Sequence, residues 1–176
     1  MGSCLKKYSY VLFCLLSCLL LFSCNSNNTK VNVPAGIGDL APAFSLKDIA
    51  GSTVNLSAYE NKVVLLEFWA TWCPPCKASV PELIEIQKRY EAKEFTVIGI
   101  SVDHAQNLSN HLNEFSRAYH INYPVLIGSD DVARKYNVTS IPVSFLIDKK
   151  GKIVNTYVGY TDNFAEKISA QIEKII

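Results

Sequence analysis

Cysteine and histidine are scarce in most of this sequence. Four of its six cysteines lie in or at the end of an apolar N-terminal segment, which leaves Cys73 and Cys76 as the only pair in the rest of the chain. A structural zinc site needs about four ligands, usually paired cysteines and histidines. The remaining candidates are His104, His111 and His120, which lie in or beside one predicted helix and are expected at the surface. The sequence therefore predicts no metal site.

A marked excess of one charge is also missing. The formal net charge is +1 at pH 7, no basic patch stands out, and no internal repeat is visible. Proteins that bind nucleic acid ordinarily present a basic patch or stripe. Nucleic acid is therefore not an expected partner.

The apolar run near the N-terminus is too short for a comfortable membrane span. Residues 8–22 carry no charge, but about 15 residues fall short of the roughly 20 that a spanning helix needs. Lys6 and Lys7 precede this run and Ser23-Cys24 follows it, which is the order of a secretory signal. A cysteine at the cleavage point resembles a bacterial lipoprotein box, and this implies that Cys24 carries the lipid. An uncleaved signal anchor is the alternative, and both place the domain outside the cytoplasm.

The chain is predicted to have three segments. Residues 1–23 are the predicted lipoprotein signal peptide. Residues 24–35 are rich in asparagine and have no apolar period, so they are predicted to be a flexible tether. Residues 36–176 have the length of one domain.

Within that domain, strand patterns alternate with helix patterns. Residues 63–69 form a near-continuous apolar run, as expected for a strand that is covered on both faces. The predicted strands are a hairpin over 44–56 and the segments 63–69, 95–102, 123–127, 143–147 and 153–158. The predicted helices cover 74–92 and 108–119, and two more begin at 129 and about 161. This alternation predicts an α/β sandwich with a mixed sheet.

Cys73 and Cys76 have the spacing of a dithiol that cycles with a disulfide, between an apolar strand and a helix. Cys73 lies at the predicted helix N-terminus, where the helix dipole and free N–H groups favour negative charge, so it is the predicted attacking nucleophile. Cys76 lies one turn inside the helix and is the predicted resolving thiol. Pro74 and Pro75 lack an N–H, so fewer donors can stabilise the Cys73 thiolate. This predicts a reducing couple.

Four stretches together resemble a known family. Residues 66–77 (LEFWATWCPPCK) resemble the strand, turn and helix start of a thioredoxin active site. Residues 38–44 (GDLAPAF) and the insertion over 108–119 narrow the resemblance to the TlpA/ResA-like thiol-disulfide oxidoreductases. Residues 136–142 (YNVTSIP) resemble the cis-proline loop of that family. The resemblance covers about residues 36–176.

The resemblance implies a thioredoxin-like sandwich, in which helices flank a central mixed sheet, with an N-terminal hairpin and a β-α insertion. It implies a membrane-tethered, monomeric oxidoreductase whose redox group is the Cys73–Cys76 disulfide, with no other cofactor. The expected partners are oxidised protein thiols, including those of apocytochrome c, and a membrane electron donor.

The resemblance also implies roles for residues around the sulfurs. Glu67 occupies the place of a buried acid in thioredoxins, where burial would raise its pKa and let it accept the Cys76 proton. The alternative is a carboxylate that points to solvent. ResA-like relatives often place a glutamate three residues after the second cysteine, but this chain has Ser79 there.

A substrate-binding surface is implied beside the sulfurs. Pro142 is the expected cis proline, and Ile141 would offer its backbone groups to an extended substrate. Trp72 would shield the sulfurs and form part of the substrate-binding surface, to which Pro74 and Pro75 also belong. An ordinary trans proline and a core-packed Trp72 are the alternatives.

Three other functions fit the sequence less well. A copper-binding chaperone would need a wider cysteine spacing and a histidine near the C-terminal end of the domain, but no histidine follows His120. A peroxiredoxin-type peroxidase would need a proline and a threonine at fixed spacing before one cysteine, and Thr71 is only two residues before Cys73. A structural disulfide in a scaffold domain is the third alternative.

Overall fold

The structure is a computed structural model and describes residues 35–176. The predicted signal peptide, the proposed lipid site at Cys24 and nearly all of the predicted tether lie outside the described residues. Within residues 35–176, no helix combines the length and the apolar character that a membrane span requires.

A seven-stranded mixed sheet forms the centre of the described domain. The strands are β1 (Ser45–Asp48), β2 (Thr53–Asn55), β3 (Val63–Trp69), β4 (Phe95–Ser101), β5 (Val125–Ile127), β6 (Val143–Ile147) and β7 (Ile153–Val158). Their order across the sheet is β2-β1-β5-β4-β3-β6-β7. Strand β3 pairs in parallel with β4 and antiparallel with β6, so it lies inside the sheet with a neighbour on each side.

In the described domain, three α-helices connect these strands and a fourth follows β7. They are α1 (Pro74–Tyr90), α2 (Leu108–Ala118), α3 (Asp130–Lys135) and α4 (Phe164–Ile175). Helix α2 lies in the predicted insertion between β4 and β5. Helix α3 begins as predicted, because the Ser129 hydroxyl caps it by accepting from the Val132 N–H at 3.3 Å.

Both faces of β3 are buried, and its residues alternate between two cores. Val63, Leu65 and Trp69 pack with residues of α1, α2 and α4. Val64, Leu66 and Phe68 pack on the opposite face with Val132 of α3, Tyr136 and Phe145. This two-sided burial explains the continuous apolar run in the sequence. Glu67 breaks the run on the face that α1 covers.

The predicted α/β thioredoxin-like sandwich is confirmed, including the edge hairpin, which β1 and β2 form. Two helix ends differ from their predictions by two or more residues. Helix α1 ends at Tyr90 rather than 92, because a 3-10 turn over Glu91–Lys93 and a left-handed Glu94 redirect the chain. Helix α4 begins at Phe164 rather than about 161, because a turn comes first, in which the Phe164 N–H donates to the Thr161 carbonyl.

Candidate active site

The two cysteines lie where the central strand β3 turns into α1. Cys73 is the N-cap residue of α1, and it forms a disulfide with Cys76, with 5.3 Å between the two Cα atoms. The Cys76 N–H donates to Cys73 Sγ at 3.3 Å. Cys73 is 3% exposed and Cys76 is fully buried. Of the two cysteines, Cys73 is therefore the more exposed.

Apolar surface surrounds the entrance to the disulfide. Trp72 is 65% exposed, so the alternative of a core-packed tryptophan is wrong. Pro74 and Pro75 are also exposed. On the other side, the Ile141–Pro142 peptide is cis, and the Ile141 carbonyl oxygen lies 3.9 Å from Cys73 Sγ. The structure thus brings the sequence-predicted surface residues together around one sulfur.

Glu67 is buried beneath this site, 1% exposed, so the alternative of a solvent-facing carboxylate is wrong. The Ser79 hydroxyl donates to Glu67 Oε1 at 2.7 Å, and the Ser144 hydroxyl donates to Oε2 at 2.8 Å. Burial raises the pKa of Glu67 to about 7, although both hydroxyl donors act in the opposite direction. A carboxyl group with this pKa can gain or lose a proton near neutral pH.

Sequence reasoning missed the residues that hold Glu67. Ser144 faces Glu67 directly in the antiparallel register of β3 and β6. Ser79 lies one helical turn after Cys76 in α1, and the sequence alone gives no sign that its hydroxyl pairs with Glu67. Tyr123 lies close enough for the Glu67 charge to add to burial in raising the tyrosine pKa well above its usual value. A lone carboxylate in an apolar strand is the signal that could have prompted a search for such partners.

A second buried polar cluster holds the turn before Cys73. Both carboxylate oxygens of Asp103 accept from the Thr71 N–H, at 3.2 and 3.0 Å, and one also accepts from the Thr71 hydroxyl at 2.6 Å. The Ser101 hydroxyl donates to Asp103 at 2.7 Å. His111, exposed on α2, places Nε2 2.9 Å from the Thr71 hydroxyl oxygen. The sequence had no local signal for this cluster, because its members come from three segments.

The three histidines lie at the surface of the domain, as predicted. His104 approaches the exposed Asp130 at 3.9 Å. Across residues 35–176, no three histidine, cysteine, aspartate or glutamate side chains are grouped so that they could share a metal ion. The redox group that the geometry offers is the cysteine pair itself.

A Cys-x-x-Cys disulfide at a helix N-terminus, with a cis proline opposite it and a sheet of this order behind it, defines a thioredoxin-fold thiol-disulfide oxidoreductase. Residues 37–156 match the model of the AhpC/TSA family. The chain belongs to this family of thioredoxin-like proteins.

Curated relatives agree with this assignment. The chain is 36% identical over 131 residues to the thioredoxin-like protein YneN of Bacillus subtilis. The aligned region covers 74% of this chain and 76% of that protein. It is 31% identical over 140 residues to the thiol-disulfide oxidoreductase ResA of Bacillus thuringiensis. That alignment covers 79% of this chain and 78% of that protein.

A solved structure agrees as well. A crystal structure from Chlorobium tepidum, provisionally assigned as the thiol:disulfide interchange protein DsbE, superposes with a TM-score of 0.74 at 33% identity. The match covers 80% of this chain and 98% of that one.

Proposed function

We propose that this oxidoreductase is a reductant of protein disulfides. The observation that carries the proposal is the N-cap position of Cys73, whose sulfur has the Cys76 N–H as its donor while two prolines occupy the first two helical positions. A thiolate with fewer donors is less stabilised, and a couple whose reduced form is less stabilised is more reducing.

The reaction proceeds as two exchanges. The Cys73 thiolate attacks one sulfur of a substrate disulfide, and the other substrate sulfur leaves as a thiolate that takes up a proton. The Cys76 thiol then passes its proton to the Glu67 carboxylate, and its sulfur attacks Cys73 Sγ. This closes the Cys73–Cys76 disulfide and releases the second substrate sulfur as a thiolate, which takes up a proton. Two electrons have moved from the protein dithiol to the substrate.

The helix geometry indicates that Pro75, rather than Pro74, affects the reduction potential of the cysteine pair. An N-cap side chain accepts from the N–H of the second or third helical residue, which here are Pro75 and Cys76. We expect Pro75→Ala to restore the missing donor and make the couple more oxidising. One charge-assisted hydrogen bond of about 1.5 kcal/mol corresponds to roughly 30 mV. Equilibration with a glutathione redox buffer, followed by alkylation of free thiols, measures the shift.

Pro74→Ala is the matched control, because the N–H of the first helical residue does not point to the N-cap side chain. It should change the reduction potential much less than Pro75→Ala does. Equal shifts in the two variants would contradict the donor argument. A wild-type potential as oxidising as that of DsbA, about −120 mV, would overturn the reductant proposal itself.

The place of action that we propose is the outer side of a bacterial membrane. A signal peptide over residues 1–23 and a lipid on Cys24 would tether a monomeric domain through residues 24–35. The support is the order of charge, apolar run and cysteine in the leader. Oxidised protein thiols are the proposed substrates, with apocytochrome c among them, and a membrane protein is the proposed electron donor.

We expect Cys24→Ala to release the chain from the membrane. Acyl chains supply the membrane affinity, since a single chain binds marginally and two bind firmly. Fractionation of cells that produce the full chain should find the wild type with membranes and the variant in the soluble extracytoplasmic fraction. Cys18→Ala, within the predicted signal, is the control and should stay membrane-bound. Membrane association of the Cys24 variant would favour the uncleaved signal anchor.

A further inference from the structure

Ser79 lies between the buried carboxyl group and the second cysteine. Its Oγ is 2.7 Å from Glu67 Oε1 and 2.9 Å from the carbonyl oxygen of Cys76, and the residue is fully buried. A hydroxyl group has one proton to donate and two lone pairs with which to accept. Ser79 can therefore donate to only one of these two oxygens at a time.

The ionisation state of Glu67 decides whether the Ser79 hydroxyl donates to Glu67 Oε1 or to the Cys76 carbonyl oxygen. When Glu67 is ionised, both of its oxygens need donors, and Ser79 and Ser144 supply one each. When Glu67 is neutral, its own proton must find an acceptor, because an unpaired buried O–H costs about 1–3 kcal/mol.

The two serines differ as acceptors for that proton. If Glu67 donates from Oε1, the Ser79 hydroxyl can turn to the Cys76 carbonyl, and every group stays paired. If Glu67 donates from Oε2, the buried Ser144 hydroxyl has no second acceptor among the described residues. The neutral carboxyl group is therefore satisfied on the Ser79 side.

We propose that Ser79 is a positioning residue whose hydroxyl switches between Glu67 and the Cys76 carbonyl, and thereby couples protonation of Glu67 to the backbone of the resolving cysteine. The inference rests on the proposed role of Glu67 as the proton acceptor. When the Cys76 proton reaches the Glu67 carboxylate, the Ser79 hydroxyl rotates without breaking a covalent bond. Glu67, Ser79 and Ser144 all keep hydrogen-bond partners on either side of the transfer.

Few other groups near Glu67 titrate in the same range. Ser79 faces it from α1, Ser144 from β6, and Tyr123 from the segment before β5. Burial and the Glu67 charge raise the pKa of Tyr123 well above its usual value, so its phenol stays neutral. In the oxidised protein, Cys73 and Cys76 do not titrate. The oxidised state thus removes the two thiols from the titration.

The test is an NMR titration of the oxidised, ¹³C,¹⁵N-labelled chain from pH 5 to pH 9. In the wild type, the Cys76 carbonyl ¹³C shift should follow the Glu67 carboxyl shift with the same midpoint, because that carbonyl gains a donor as Glu67 becomes protonated. In Ser79→Ala the carboxyl group still titrates, at a higher pH because its ionised form has lost a donor. The response of the Cys76 carbonyl is lost.

Ser144→Ala is the matched control. It also removes one donor from ionised Glu67 and should raise the midpoint, but the response at the Cys76 carbonyl should persist. Ser79→Thr keeps a hydroxyl and should therefore keep the response of the Cys76 carbonyl that Ser79→Ala loses. A wild-type carbonyl that does not titrate would overturn the proposal. So would an undiminished response in Ser79→Ala, which would mark a through-space effect of charge.

The measurement separates this proposal from the reductase proposal. It uses the oxidised protein and needs no substrate, so a negative outcome leaves the reductase activity and its potential untouched. A chain that failed to reduce protein disulfides could still show the Ser79-dependent titration.

Discussion

Cys76→Ser should trap substrates as stable mixed disulfides, whereas Cys73→Ser should trap none. The difference follows from the positions of the two sulfurs. Cys73 caps α1 beside an exposed apolar surface, and Cys76 is fully buried behind it. Without Cys76, attack by Cys73 still forms the mixed disulfide, but no internal thiol can resolve it. Without Cys73, reduction of a protein disulfide should fall to the uncatalysed rate.

Non-reducing gels and mass spectrometry of each variant, after reaction with a disulfide-bonded protein, give the readout. The double variant is the control for adventitious thiols, and the trapped species should disappear when reductant is added. Equal trapping by both single variants would contradict the assigned roles. Peroxide consumption without protein reduction would instead support the peroxidase alternative, and stoichiometric Cu(I) binding would support the copper chaperone. An inert disulfide would support the scaffold.

Glu67→Gln should make the oxidised protein more stable at pH 8. The folded-state pKa of about 7 lies above the usual value of 4.5. The folded protein therefore holds this proton more tightly than the unfolded chain, and the free energy of unfolding falls as the pH rises from 4.5 to about 7. The loss amounts to about 3 kcal/mol above that window. Glutamine stays neutral and avoids the loss, while its amide can still bond to both serines.

Urea denaturation of the two oxidised proteins at pH 5 and pH 8 measures the effect. The variant should exceed the wild type by up to about 3 kcal/mol at pH 8 and by less than about 1 kcal/mol at pH 5. Glu85→Gln, an exposed carboxylate on α1, is the control and should show no such dependence on pH. A wild type whose stability rises from pH 5 to pH 8 relative to Glu67→Gln would show that the Glu67 pKa is not raised.

A local sequence pattern predicts much of this fold and the chemical centre of the site. Strands β6 and β7 have their predicted bounds, because an apolar run stands on each side of a short turn signal. The disulfide partners follow from the Cys-x-x-Cys spacing, while the family resemblance implied the cis proline and the buried position of Glu67. Helix ends were less predictable. Glycine is the residue that ordinarily marks a left-handed backbone position in a sequence, and here that position is occupied by Glu94.

The remainder depends on sheet register and on helix orientation, which no local pattern encodes. Ser144 is one polar residue in an apolar strand, and its meaning appears only when β6 is placed antiparallel to β3. Asp103 follows β4 and is 32 residues from Thr71, and only the parallel pairing of β3 with β4 brings the ends of those strands together. Such partners can be identified once the topology is known.

The hydrogen bonds between Thr71 and Asp103 bear on how a substrate meets the sulfurs. The turn that carries Trp72 and Cys73 is tied through a buried carboxylate to the end of the neighbouring strand, and its geometry is set before any partner arrives. Binding then has little disorder to remove from this loop, and the entropic cost of forming the encounter complex falls mainly on the substrate segment. A rigid site of this kind favours partners whose disulfide-bearing segment is already extended, because that segment then loses less conformational freedom on binding.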